Sequence, residues 1–94
     1  MRLKEKMPGE AINRMRHDPN FDITKAFFVF THRGIEGEEK TWPIKDVMGI
    51  SGMFAYMDSS YEDHMIPLHR IRKILYDGKV IWRRAKIEEW EHVI

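Results

Sequence analysis

Apolar residues near the start of the chain recur at the spacing of an α-helix. The stripe consists of Ala11, Ile12 and Met15, with polar residues between and around them. Met7-Pro8-Gly9-Glu10 suits the beginning of a helix, because proline fits the first turn and glutamate favours the positive helix end. Asp18-Pro19-Asn20 ends it, since the residue before a proline avoids helical backbone angles. The pattern therefore predicts one N-terminal helix between these two signals.

Three short runs after this helix are typical of β-strands, because they are rich in aromatic and β-branched residues or alternate in polarity. They cover residues 25–31, 39–44 and 50–57. The first two are expected to pair antiparallel across a loop that includes residues 32–37. Pro43 places the second run at a strand end or a sheet edge, and Gly52 is expected to mark a bulge in the third. Between them, residues 45–49 are expected to form a short helical turn or a crossover.

Asp77-Gly78 separates two further strand-like runs, residues 69–76 and 79–84. Asp-Gly between two such runs predicts a two-residue hairpin turn, because both turn positions need a positive φ. The chain is therefore expected to end its sheet in a β-hairpin, with Trp82 on the more apolar of its two faces.

A regular hairpin of this register puts Arg72 directly opposite Arg83. Like charges at opposed positions of a sheet repel each other. Either an anion bound between the two side chains or an acidic neighbour such as Glu88 or Glu89 would relieve the repulsion.

Together these elements predict an α+β fold. One N-terminal helix packs on a mainly antiparallel sheet of about five strands that ends in the β-hairpin. A short C-terminal helix is expected over residues 87–94. We expect a single domain over residues 1–94, because the length is that of one hydrophobic core.

Composition favours a folded domain without cysteine. The chain is 43% hydrophobic and 12% aromatic, which is too apolar for a disordered segment and sufficient for a modest core. The absence of cysteine excludes disulfides and thiolate metal sites. No apolar run is long enough to span a membrane, and the first ten residues lack the apolar segment of a secretory signal. We therefore expect a soluble, cytoplasmic protein.

Charge is unevenly distributed, although the formal net charge is only +1. Residues 69–86 hold seven basic residues and one acidic residue, whereas residues 17–68 carry a net charge of −5. The basic members of the block are Arg70, Arg72, Lys73, Lys79, Arg83, Arg84 and Lys86. Such a block attracts anions. The alternative is a solvated hairpin whose charges pair with the acidic middle segment.

One stretch inside the basic block matches a known pattern. Ile66-Pro67-Leu68-His69-Arg70-Ile71, followed by Gly78 and then by Val80, Trp82 and Arg84, resembles the RNA cyclic group end recognition domain family, a small archaeal family. The resemblance implies a protein that binds RNA ends carrying a cyclic or processed phosphate, with RNA-processing enzymes as partners.

The first half of the chain supports the same resemblance. Asn13-Arg14-Met15-Arg16, Asp18-Pro19 and an aromatic strand followed by Arg33 fit the family pattern, so that the match covers about residues 8–84. His17 and His32 stand where the family usually has a tryptophan and an acidic residue.

The residue types of the basic block suit recognition of a phosphate beside a base. Guanidinium groups bind phosphate oxygens as forks, a histidine ring donates an N–H, and aromatic rings stack on bases. The candidate phosphate-binding residues are His69, Arg70, Arg72, Arg83, Arg84 and Arg33, and the candidate stacking residues are Tyr76 and Trp82. The alternative for Trp82 is a core position, and the alternative for His69 is a structural hydrogen bond.

The sequence shows no pattern typical of catalysis or metal binding. No histidine is followed two residues later by serine or threonine, and the spacing of the histidines does not suit a metal site. We therefore favour an RNA-binding module without cofactor or metal over an enzyme. The alternatives are a phosphodiesterase that uses His69, with His32 as its second proton-transfer group, and a protein-interaction adaptor of an RNA-processing complex.

The methionines are expected to fill the core rather than to form a binding surface, because they are scattered along the chain. Those concerned are Met15, Met48, Met53, Met57 and Met65.

Overall fold

The computed structural model describes residues 3–31 and 38–84. Within them lie one α-helix, seven strands and three single turns of 3-10 helix. The helix α1 spans Pro8–His17, as predicted, and ends where Asp18 takes up an extended backbone. The strands are β1 (Ala26–Thr31), β2 (Glu39–Pro43), β3 (Val47–Ser51), β4 (Phe54–Met57), β5 (Met65–Pro67), β6 (Ile71–Tyr76) and β7 (Lys79–Arg83). The 3-10 turns are Ile23–Lys25, Ile44–Asp46 and Leu68–Arg70.

The strands form two antiparallel sheets, in the orders β2-β1-β6-β7 and β3-β4-β5. The α+β class is confirmed, but the prediction of one sheet of about five strands is wrong. Residues 50–57 are not one bulged strand, because Gly52 has a φ of +58° and begins a two-residue turn between β3 and β4. A glycine at the first turn position is typical of a type II′ hairpin.

The Asp77-Gly78 turn is confirmed, with φ values of +53° and +80°. The register of the hairpin is as predicted only next to the turn. One step further, Ile74 lies opposite Trp82 and Lys73 opposite Arg83, so Ile81 is an extra residue in β7. The predicted opposition of Arg72 and Arg83 is therefore wrong. This β-bulge turns both Ile81 and Trp82 towards the interior, where both are buried.

A second bulge shifts the register of β6 against β1. Val29 lies opposite Lys73, but Phe30 lies opposite Ile71, so Arg72 is the extra residue. Ile71 and Ile74, three residues apart, can then both enter the core and are both fully buried. A regular strand would place residues at this spacing on opposite faces.

One hydrophobic core joins α1 to both sheets. The helix buries the predicted stripe of Ala11, Ile12 and Met15 against it. The other large members come from the strands and include Phe28, Phe30, Ile66, Ile71 and Ile74. The prediction that five methionines fill the core is confirmed for two of them. Met15 and Met57 are in the core, but Met48, Met53 and Met65 are 47–68% exposed.

The segment before α1 runs along the free edge of β7. The Leu3 amide donates a hydrogen bond to the Ile81 carbonyl (2.8 Å), and the Trp82 indole Nε1 donates one to the Glu5 carbonyl (2.9 Å). Trp82 is only 6% exposed, which supports the core alternative for this residue. The edge strand is thus covered, and the beginning of α1 is held at a fixed distance from β7.

Several sequence predictions fall on residues outside the described ranges. They concern His32, Arg33, the acidic neighbours Glu88 and Glu89, and the helix expected over residues 87–94. Within the described ranges, no helix has the length and hydropathy needed to cross a membrane.

Replacing Trp82 by alanine is expected to lower the free energy of unfolding by about 3–5 kcal/mol, because the change removes a buried ring. Denaturant unfolding would measure the loss. Val80→Ala is the matched control, since Val80 is on the same strand and 45% exposed. A loss at Trp82 no larger than that at Val80 would show that the indole does not support the core.

Candidate anion-binding pocket

A pocket of about 280 Å³ opens where four separate parts of the chain meet. They are the beginning of α1, the β3–β4 turn, the 3-10 turn before β6, and the residue after β7. Its apolar lining consists of Met7, Pro8, Gly9, Ile50, Gly52, Met53 and Leu68. Its polar side chains are Glu10, Asn13, His69 and Arg84.

Arg84 is the most firmly held cation of the pocket. Its Nε donates a hydrogen bond to the Ile71 carbonyl (3.0 Å) and its Nη2 donates one to the Leu68 carbonyl (2.9 Å). The guanidinium carbon also lies 5.7 Å from the centroid of the Trp82 ring, within the range of a cation–π contact. No carboxylate of the described residues pairs with this guanidinium, and its remaining N–H groups are available to a ligand.

The surroundings of Arg84 penalise its charge. Burial lowers the pKa of the guanidinium, and the neighbouring charge of Arg72 lowers it further. An arginine nevertheless remains protonated at neutral pH. An anion in the pocket would relieve both effects, because it supplies the opposite charge that the fold does not provide.

The β7 bulge determines which residues Arg84 can reach. The Arg84 amide donates to the Arg72 carbonyl (2.9 Å), so Arg84 lies beside Arg72. From there the side chain reaches back to the carbonyls of Leu68 and Ile71, which flank His69 and Arg70 in the sequence. The shifted register also puts the Arg84 side chain on the same side as Trp82, from where it contacts the turn that carries His69 and Arg70.

The beginning of α1 contributes backbone donors to the opposite wall. No side chain caps the helix, and Pro8 has no amide hydrogen. The free amides and the helix dipole favour an anion at this end. Gly9 lets the helix approach closely, because a Cβ on it would lie 3.0 Å from Leu68 Cδ1 and 3.3 Å from Ile50 Cγ2.

Asn13 also lines the pocket, although it is not among the site residues predicted from the sequence. Its Oδ1 accepts a hydrogen bond from Arg16 Nη1 (3.1 Å), while Arg16 Nη2 donates to the Met48 carbonyl (3.1 Å). Since a guanidinium has only donors, this contact leaves the Asn13 amide NH₂ for a ligand. The signal that pointed to this residue was the Asn13-Arg14-Met15-Arg16 match. Glu10 was likewise not selected.

The predicted phosphate-binding residues lie in different positions relative to the pocket. His69 lines it and is exposed, and Arg70 is half-buried in the same 3-10 turn. Arg72 is exposed next to Arg84. Arg83 is exposed too, but it follows Trp82, whose side chain points inward, so alternation turns it away from the pocket. Within residues 3–31 and 38–84, none of these four side chains has a hydrogen-bond or ion-pair partner.

The predicted stacking residues do not line the pocket. Tyr76 lies beside the hairpin turn, at the far end of β6 from Arg72. Its hydroxyl accepts a hydrogen bond from the Asp22 amide (2.9 Å), and its ring packs edge-on against Phe21 at 5.2 Å. The Trp82 ring contacts the Arg84 guanidinium from the core side.

Among the described residues, a metal site would require several ligand side chains that lie close together. No three histidine, aspartate or glutamate residues there lie close enough together to hold a metal ion. The polar groups of the pocket are mainly hydrogen-bond donors, which suits an anion rather than a cation.

The described residues form a small α+β domain with a pocket that is lined partly by hydrogen-bond donors. The model of the MJ1316 RNA cyclic group end recognition domain matches residues 5–84, and the chain belongs to this family. The resemblance noted from the residues of the hairpin and the helix is thereby confirmed.

Relatives of similar length occur in archaea. A UPF0248 protein of Thermococcus onnurineus is 33% identical over 78 residues, covering 82% of this chain and 84% of the relative. A UPF0248 protein of Methanococcus maripaludis is 30% identical over 80 residues, covering 83% and 99%. No solved structure matches the chain.

Arg84→Ala is expected to lower the free energy of unfolding by about 1–3 kcal/mol, because it removes two charged hydrogen bonds to carbonyls. It should also abolish any rise in melting temperature that inorganic phosphate gives the unmodified protein. Thermal unfolding with and without phosphate measures both effects. Arg83→Ala is the control and should keep the phosphate response. The same phosphate response in both variants would place the anion elsewhere.

Proposed function

We propose that this protein binds RNA ends that carry a phosphate, and that it prefers a 2′,3′-cyclic phosphate. The observation that carries the proposal is Arg84, a partly desolvated guanidinium that two carbonyls fix at the edge of a pocket. No described carboxylate neutralises it. The family description, which names recognition of RNA cyclic group ends, supports the same ligand.

The groups around the pocket match the parts of such an end. The phosphate oxygens would accept hydrogen bonds from Arg84, His69 and the Asn13 amide, and from the backbone at the beginning of α1. The apolar wall, which includes Ile50 and Leu68, would contact the ribose. The binding energy then comes from donors that the fold already holds in place, which limits the entropy lost on binding.

Glu10 gives the pocket a means of selecting by charge. A cyclic phosphate is a diester with one negative charge, whereas a terminal phosphate monoester carries −1.5 to −2 at neutral pH. The Glu10 carboxylate also lines the pocket, and it opposes each additional negative charge. The combination of Arg84, the helix end and Glu10 therefore favours a singly charged group.

The basic hairpin would attract the rest of the RNA. Arg70 and Arg72 flank the pocket side, while Lys73, Lys79 and Arg83 add positive charge along β6 and β7. Exposed cations of this kind bind phosphates without regard to sequence and lose affinity as salt is added. RNA-processing enzymes would be the source of the phosphate-bearing ends, and we propose them as partners on that ground.

The test is a binding titration with one short RNA in three forms, ending in a 2′,3′-cyclic phosphate, a 3′-phosphate or a 3′-hydroxyl. Fluorescence anisotropy should rank the cyclic end first and the hydroxyl last, with affinity falling as salt rises. Chromatography of the cyclic substrate after long incubation would detect its hydrolysis and so reveal the phosphodiesterase alternative. Equal affinity for all three ends would refute end recognition.

Glu10→Gln is expected to narrow the preference for the cyclic end. The exposed carboxylate repels the second charge of a monoester, so its removal should raise affinity for the 3′-phosphate by roughly two- to fivefold relative to the cyclic end. Competition between the two RNAs measures the ratio. Glu39→Gln, an equivalent change on β2, should leave the ratio unaltered. If Glu10→Gln keeps the full preference for the cyclic phosphate over the 3′-phosphate, another group of the pocket is responsible for that preference.

A further inference from the structure

We propose that the outer face of the three-stranded sheet is a second RNA-contacting surface, on which bases preceding the bound end stack. This inference rests on the proposed function, since it extends the RNA beyond the pocket. We call the surface the stacking face. Its rings are Phe54 and Tyr56 of β4, and its flanks are Met65 and Pro67 of β5.

Alternation along β4 directs both rings outward. Ala55 and Met57 are buried in the core, whereas Phe54 and Tyr56 are only half-buried. Successive side chains of a strand point to opposite faces, so the two rings share the face away from the core. They also lie on the central strand of the sheet, where neighbours support them on both sides.

The cross-strand neighbours of these rings are uncharged. Phe54 lies between Ser51 and Pro67, and Tyr56 lies between Gly49 and Met65. This composition is unusual in a chain in which 33% of the residues are charged, because the solvent face of an antiparallel sheet is normally polar. An apolar surface on the solvent side of a sheet suits contact with a ligand or partner.

The stacking face differs from the other aromatic groups of the fold. Phe21 and Tyr76 pack against each other, and Trp42 packs against Phe30 and Tyr61. No ring or cation of the described residues packs in this way on Phe54 or Tyr56. As far as the described residues go, the part of each ring that is exposed has no aromatic or cationic partner.

The stacking face meets the pocket at the β3–β4 turn, around which the RNA would pass, because Ile50, paired with the buried Ala55, places the pocket on the inner side of the sheet. Gly52 and Met53 line the pocket and directly precede Phe54, and Leu68, which also lines it, directly follows Pro67. The Leu68 amide donates a hydrogen bond to the Met53 carbonyl (2.8 Å), which joins the two segments. A strand rises about 3.3 Å per residue, so Tyr56 lies about 7 Å beyond Phe54, within the reach of the next base.

The distribution of charge favours a nucleic acid on this face. Cations lie at the pocket end, in Arg70 and Arg84, whereas Asp58 and Glu62 lie in the connection at the other end. A base stacks on an uncharged ring while its phosphate stays near the cations. The face thus suits one or two bases next to the bound end rather than a long tract.

The test compares two ligands that share the end and differ in the number of bases. One is a 2′,3′-cyclic mononucleotide, and the other is a tetranucleotide with the same cyclic end. The unmodified protein should bind the tetranucleotide more tightly. Phe54→Ala and Tyr56→Ala should each lower the affinity for the tetranucleotide by roughly 5- to 100-fold, which is the range for loss of one stacked base. Neither change should alter the affinity for the mononucleotide by more than about twofold.

The controls separate stacking from charge and from folding. One control ligand is a tetranucleotide of equal charge whose sugars before the terminal nucleotide carry no bases. Because it has no base to stack on Tyr56, it should bind the unmodified protein and Tyr56→Ala with the same affinity. Tyr56→Phe keeps the ring and should keep the affinity. If Phe54→Ala lowers the melting temperature substantially, Tyr56→Leu, which fills similar space without an aromatic ring, decides the question.

The outcomes distinguish this inference from the proposed function. A tetranucleotide that binds no tighter than the mononucleotide overturns the stacking face and leaves the pocket intact. An equal loss of affinity for both ligands in Phe54→Ala and Tyr56→Ala also overturns the stacking face, because the rings would then affect the pocket or the fold. A ring-dependent gain that is the same for cyclic and hydroxyl ends supports the face and refutes end recognition. A dimer of the unmodified protein that Tyr56→Ala converts to a monomer would assign the face to a second copy instead.

Discussion

One extra residue in β7 determines the geometry of both the core and the pocket. Ile81 has no partner in β6, and the strand therefore bends so that Ile81 and Trp82 both point inward. The same shift places Arg84 next to Arg72 rather than opposite Ile71. The extra residue also reverses the face to which the residues after it point, so that Arg84 lies on the same side as Trp82, whose ring its guanidinium contacts. A β-bulge commonly redirects a side chain beside a functional site, and here it redirects a charge.

The way in which Arg84 is held explains why the pocket keeps its charge. Carbonyl oxygens, not carboxylates, accept its hydrogen bonds, so the guanidinium is oriented but not neutralised. A carboxylate partner would neutralise the guanidinium, which would then attract an anion less strongly. An anion that binds in the pocket as proposed would stabilise the folded state by mass action.

The sequence predicts the parts of this fold that local chemistry determines. The helix follows from the stripe around Ile12 and from its end signals, and the hairpin follows from Asp77-Gly78. The β3–β4 turn was missed, because Gly52-Met53 is a weaker turn signal than Asp-Gly and the surrounding residues read equally well as one strand. Neither bulge could be predicted, since each depends on which side chains fill the core from both sheets.

The pocket was only partly predictable for a related reason. Its residues come from four segments that are distant in sequence, and composition identified only the basic hairpin. The basic hairpin includes His69 and Arg84, which line the pocket, but it also includes Arg83, which faces away from the pocket. It includes Tyr76 as well, whose hydroxyl accepts a hydrogen bond from the connection after α1. Asn13 and Glu10 are ordinary helix residues until the fold brings them to face the hairpin. Charge can be counted along a chain, whereas the direction of a side chain depends on register.

The segment that precedes α1 links the two walls of the pocket through β7. Trp82 holds this segment through the Glu5 carbonyl, and two residues later Arg84 forms the other wall of the cleft. Both walls are thus linked directly to β7. We therefore expect a displacement of β7 to move both walls of the pocket together.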